Sequence, residues 1–208
     1  IDYAYSINCM FAKVTCGLKA GVNQQNIDFS DLNIFDPMDP VSQNDIDQKI
    51  KPNFGLGIYF NTQNYYLGFS VPNLLETNYF DDINFQNGFS SRISDKIHYY
   101  LIGGYVFQLG SNLKVKPTTM FKIVDGSPIQ WDASLNFLIS NTVTLGTAYR
   151  LDSALSFLAG FQMSEKLFVG LGYDYSTTIL KDFNDGTYEI IFKIGLFNNR
   201  TIITPRFF

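Results

Sequence analysis

Stretch after stretch of this chain alternates between apolar and polar residues with a period of two, and that period dictates β-strands. In KLFVGLGYDYS (166–176), Leu167, Val169, Leu171, Tyr173 and Tyr175 occupy one phase. Gly170, Gly172 and Asp174 occupy the other, with Phe168 the exception. A strand points successive side chains to opposite faces, so each phase becomes one face of a sheet. Ten further segments repeat the pattern: 1–9, 13–23, 54–60, 65–71, 97–107, 113–123, 129–137, 143–150, 155–163 and 188–196. Tyrosines that close the apolar stripe favour a face turned to lipid, with rings at the membrane–water boundary and the polar phase turned to a lumen. Segments of about nine to eleven residues have the length a tilted strand needs to cross a bilayer.

Composition agrees with an all-β membrane wall. Charged residues are 16% of the chain, against roughly 25% in soluble domains. The 46% of hydrophobic residues is scattered, and no run approaches the roughly 20 apolar residues of a spanning helix. Aromatics are abundant, with 20 Phe and 13 Tyr against one Trp. A net charge of −4 without clustered Lys and Arg argues against nucleic acid. Cys9 and Cys16 are too few for a zinc site or a disulfide framework; they read as small hydrophobes in the apolar phase, with a cross-hairpin disulfide as the alternative.

The connections add a direction. Tight turns at Met10–Ala12, Asn61–Asn64, Leu109–Asn112, Ser140–Asn141 and Ser164–Lys166 alternate with longer or more polar links, the longest at 25–52 and 72–94. Outer-membrane barrels show this asymmetry, with short periplasmic turns and longer extracellular loops. The predicted fold is therefore a transmembrane antiparallel β-barrel forming a single domain over 1–208. A soluble barrel or sandwich is the competing reading, although only antibody-like folds gather their loops at one end, and only partly. Eleven strands would leave the two ends of the chain on opposite sides of the membrane, whereas single-chain bacterial barrels have even strand numbers. With Ile1 in place of Met and no signal peptide, the expectation is an N-terminally incomplete barrel of about 14 strands in the intact protein.

Chemistry-bearing residues gather on the polar phase. The lumen-facing candidates are Lys96, His98, Lys114, Lys116, Lys122, Asp132, Arg150, Asp174, Glu189 and Lys193, with Lys19 beside them. Both signs are present, which suggests interstrand ion pairs; an anion-selective channel is the alternative, with Asp132 placed to neutralise part of the Lys114, Lys116 and Lys122 cluster. His98 is the only histidine, and no Ser-His-Asp grouping falls at one height, so no enzyme, cofactor or metal site is expected. Asp31, Asp36, Asp39, Asp45 and Asp47 lack the Gly and terminal Glu of an EF-hand and read as a solvated outer loop, with a Ca²⁺ site as the alternative. The two long links are too apolar for plain loops. Phe29, Phe35, Leu74, Leu75, Tyr79, Phe80 and Phe85 are candidate partner-binding residues there.

Several stretches also carry a family resemblance. They are GLKAGVNQQNIDFSDL (17–32) with DPMDP (36–40), PNFGLGIYF (52–60), YYLGFSVPNLL (65–75), LKVKPTTMFKIVDGSPIQWDASLNFLI (113–139), GTYEIIFKI (186–194) and the terminal IITPRFF (202–208). In this order they resemble the PorP/SprF family, outer-membrane proteins of the Bacteroidetes type IX secretion and gliding systems. The resemblance implies a non-enzymatic barrel in the bacterial outer membrane. It would support secretion or surface anchoring of large adhesin-type proteins with type B C-terminal sorting domains. Implied partners are that cargo, other type IX components and a periplasmic peptidoglycan-binding protein. A passive channel for small solutes is the alternative function. The resemblance carries no catalytic motif, and Thr204, Pro205 and Arg206 break the alternation expected of a closing strand.

Overall fold

Each alternating stretch becomes a strand in the computed structural model, which describes residues 1–27, 46–78 and 94–195. The elements are β1 (Asp2–Cys9), β2 (Ala12–Ile27), β3 (Ile46–Asn61), β4 (Tyr65–Val71), β5 (Thr77–Asn78), β6 (Ser94–Asp95), β7 (His98–Tyr105), β8 (Phe107–Leu109), β9 (Leu113–Val124), β10 (Gln130–Ile139), β11 (Val143–Arg150), β12 (Ala154–Ser164), β13 (Leu167–Ser176) and β14 (Thr187–Ile194). A 3₁₀ turn, Ile179–Asp182, is the only helical element among the described residues. One 12-stranded antiparallel sheet runs in the order β1-β2-β3-β4-β7-β9-β10-β11-β12-β13-β14, with β8 beside β9; β5 and β6 pair separately. With β5, β6 and β8 set aside, neighbours in the sheet are neighbours in sequence, so the chain is a simple meander whose β1 and β14 are the sheet's edges.

Register keeps the two phases apart across every pairing. Phe69 pairs with Leu101, Leu101 with Phe121 and Phe121 with Trp131. Farther along, Ala133 pairs with Tyr149, Tyr149 with Leu155 and Leu155 with Tyr175. No Asp, Glu, Lys or Arg with a described side chain stands in this apolar phase within the sheet. A one-residue slip anywhere would send a whole strand's apolar set to the wrong face. The apolar face is open to its surroundings: Leu18, Leu67, Phe161 and Leu171 are each at least half exposed. In water such a face would be an aggregation site; against lipid it is the required surface.

The polar phase is packed by unequal partners. Bulky side chains lie over glycines: Tyr66 over Gly104 and Ile102 and Tyr59 over Gly68 on neighbouring strands, and Phe168 over Gly160 of β12 and Gly170 of its own strand. Phe168, the exception to the alternation, thus covers a glycine pair whose backbone would otherwise lie bare. Gly55 serves differently. The chain leaving β4 folds back across it, with Leu74 N–H donating to Phe54 O at 2.8 Å, and a Cβ at Gly55 would lie 2.5 Å from Pro72 O.

Three details depart from the sequence expectation. β2 and β3 run on for 16 residues each, taking up both ends of the predicted 25–52 link. At about 3.4 Å per residue that is roughly 54 Å, well beyond a bilayer's apolar band. Beyond lipid both faces meet water, so alternation fades while the backbone ladder continues. The predicted strand over 97–107 divides into β7 and β8 at Val106, which faces the ladder near Pro117. Proline has no N–H to give that ladder, while on the β4 side Val106 N–H donates to Asn64 O at 2.7 Å. The 72–94 link contains the short β5 strand, which pairs with β6 just beyond it.

Because the obstacle at Gly55 is backbone rather than a movable side chain, Gly55→Ala should destabilise the fold by about 1–3 kcal/mol. Gly21, which has open space around its Cβ position, should accept alanine without loss. Denaturant unfolding followed by the gel shift between folded and unfolded barrel checks both.

Candidate functional site: the polar face of the barrel wall

The charged residues that sequence places together come from β7 to β14, and the register puts most of them on one face. Asp132 on β10 is opposite Arg150 on β11, and Gln130 is opposite Lys122 on β9. Arg150 Nε donates to Asp132 Oδ1 at 2.8 Å and Nη2 donates to Oδ2 at 3.3 Å, a two-point pairing between adjacent strands. Gln130 Nε2 also donates to Asp132 Oδ2 at 3.3 Å. The Asp132 carboxylate is thus engaged by Arg150, not by the lysines of β9 that it was placed to neutralise. One step toward the short turns, Thr118 and Ser134 share a 2.6 Å hydrogen bond and Asn136 Nδ2 donates to Ser134 Oγ at 3.2 Å.

Lys114, Lys116 and Lys122 stand on one side of β9, and Lys116 is buried. Asp174 on β13 and Glu189 and Lys193 on β14 follow the same phase, with Asp174 opposite Ser156 and Lys193 opposite Phe168. His98 opens β7 and stacks on Tyr100, with ring centroids 6.3 Å apart. Lys96 lies just ahead of β7, outside the strand, where it meets Asp125 of the β9–β10 turn at 3.9 Å. That pair is exposed and contributes little. Among the described residues no group of three His, Cys, Asp or Glu side chains is placed to hold a metal.

The opposite end of the sheet offers space instead of charge. Ala4, Gly17, Gly57 and Ser70 form one register row across β1–β4. They floor a trough of about 300 Å³ rimmed by Asp2, Lys19 and Pro72. Small residues at these positions were visible in sequence, but only register reveals that they align. Leu74 and Leu75, candidates for partner binding, sit beside this trough's β4 end, Leu75 being 43% exposed. Phe29, Phe35, Tyr79, Phe80 and Phe85, like Asp31, Asp36, Asp39 and Asp45, lie outside the described residues, while Asp47 falls within β3.

The apolar face also satisfies its own polar groups, as lipid demands. Trp131 Nε1–H donates to Thr119 Oγ1 at 2.8 Å, and Thr119 Oγ1 donates to Asp132 O at 3.3 Å. Two side-chain donors on the apolar phase are thereby paired within the wall. A family model for the type IX secretion system membrane protein PorP/SprF matches residues 1–194. The chain belongs to the PorP/SprF family. No curated protein matches it. As a PorP/SprF protein it is a membrane component of the type IX secretion system, set in the bacterial outer membrane as a β-barrel wall. Its exposed apolar phase is then the lipid surface.

A double-mutant cycle over Asp132→Ala and Arg150→Ala should give a coupling of about 1 kcal/mol or less, because the Arg150 side chain is 49% exposed. The coupling should shrink in high salt; equilibrium unfolding at two ionic strengths checks it.

Proposed function

We propose that this PorP/SprF protein is the barrel that carries large adhesin-type cargo with type B C-terminal sorting domains to the cell surface, or holds it there. The family match over nearly the whole chain carries this reading. The wall geometry supports it: among the described residues an ion pair, glycine–aromatic packing and hydroxyl contacts on the polar phase serve to build a wall. Residues 1–208 act as one barrel domain, whose edge strands β1 and β14 are paired in lipid, since an open edge there would leave peptide groups without partners. Lys114, Lys116, Lys122, Asp132, Arg150, Asp174, Glu189 and Lys193 line its lumen, with His98 at the rim. The links 25–52 and 72–94, with Phe29, Phe35, Leu74, Leu75, Tyr79, Phe80 and Phe85, form the partner-binding surface. Other type IX components and a periplasmic peptidoglycan-binding protein would complete the assembly, which would serve gliding as well as secretion.

Replacing both connections by short Gly-Ser turns should leave the barrel assembled in the outer membrane. It should also abolish co-purification of a large surface protein. Retention of that partner by the shortened barrel would contradict the reading. A steady open-pore current from the pure protein in planar bilayers would favour a passive solute channel instead.

A further inference from the structure

Charge on the polar face is unevenly distributed along the strands. Toward the long connections, acids and bases mix: Asp2 is opposite Lys19, Asp132 is opposite Arg150, and Asp174 and Glu189 lie nearby. Toward the short turns the sign is almost uniform. Lys13 begins β2 opposite Asn8 and Asn61; Lys114 and Lys116 begin β9; Lys193 ends β14; Lys166 sits in the β12–β13 turn. Glu165 is the one carboxylate among them. Lys114 and Lys116 are two positions apart on the same side of one strand, roughly 7 Å. Among the described residues, ion pairs hold Arg150 and Lys96, and none reaches Lys13, Lys114, Lys166 or Lys193. Around Lys166 and Lys193, Asn141, Gln162 and Glu165 line an open cavity of about 470 Å³.

We infer that the periplasmic mouth of the barrel is a cationic collar that captures an acidic polypeptide segment. The orientation rests on the outer-membrane reading, which places short turns in the periplasm. Like charges gathered at one confined rim raise each other's energy and draw in an anion, and the wall's low dielectric strengthens the attraction. Polypeptide is favoured over lipid headgroups because Lys13, Lys114, Lys116 and Lys193 stand on the polar phase, turned away from the lipid surface. A chain is favoured over a single small anion because the lysines are spread over β2, β9 and β14 rather than converging on one point.

The test uses the full-length barrel in detergent and a fluorescent 20-residue Glu/Ser peptide, with a Gln/Ser peptide for comparison. The acidic peptide should bind by anisotropy and the neutral one should not, and affinity should fall at least tenfold between 50 and 200 mM salt. Lys13→Gln, Lys114→Gln and Lys193→Gln together should weaken binding at least tenfold, while the corresponding three Lys→Arg changes retain it. Lys19→Gln with Lys122→Gln, at the far end, should have no effect. Equal binding of both peptides, or full affinity in the triple Gln variant, would overturn the collar. So would displacement by inorganic phosphate at millimolar concentration, or capture of phosphatidylglycerol vesicles through the same three lysines. Cargo retention in cells is read separately: peptide binding without it sinks the proposed secretion role alone, and the reverse sinks the collar alone.

Discussion

A peptide group in hydrocarbon has no water to turn to, so every N–H and C=O of a spanning strand must find another strand. The whole architecture answers to that constraint. Successive strands pair antiparallel, every second one through a tight turn, so that many ladder bonds form with little chain between them. Where Pro117 offers no donor the β7–β9 ladder is interrupted, while Val106 N–H keeps its partner, Asn64 O, on the β4 side. Side chains follow the same rule, since the Trp131 indole and the Thr119 hydroxyl on the lipid phase both end on partners within the wall.

Pairing for the backbone's sake then fixes what each face can be. A period of two leaves no freedom: once Leu171 faces lipid, Asp174 cannot. Charges are confined to the polar phase, and there they are arranged by strand end. At the long-connection end acids and bases mix, and Asp132 and Arg150 pair across strands. At the short-turn end lysines stand together, and the wall's interior is thickened by Tyr66, Phe168 and Leu138. The wall is therefore polarised along its axis, which a structure with only a passive sealing role would not require.

How much of this was legible beforehand follows from which forces are local. Alternation is local, so the eleven strands along the path of the main sheet and the tight turns between them could be read from residues such as Leu167, Val169 and Leu171, whereas the short β5, β6 and β8 could not. Left-handed backbone at Ser140 and Asn141, with φ of 51° and 53°, matches the two-residue turn read at that site. The extension of β2 and β3 was hidden because Asn23, Gln24 and Gln25 carry no hydrophobic signal once the strand leaves lipid. Partner choice was hidden too. Asp132 has lysines two and more strand positions away in sequence reach, and only register shows that Arg150 is directly opposite. Lys96 belonged to the strand by phase, yet β7 begins only at His98. Phe168 looked like a lapse in the pattern because its reason, the Gly160–Gly170 pair beneath it, involves another strand.

The claim on which everything else depends is that the apolar phase faces lipid and the polar phase does not. Single spin-labelled cysteines placed one at a time along Val143–Arg150 and Ala154–Ser164, with Cys9 and Cys16 replaced by alanine, test it directly in bilayer vesicles. Accessibility to oxygen should peak at Leu145, Thr147, Leu155, Phe157, Ala159 and Phe161 and drop at every intervening position. Accessibility that is uniform along both strands, or that peaks at Thr144, Ala148 and Ser156, would contradict it.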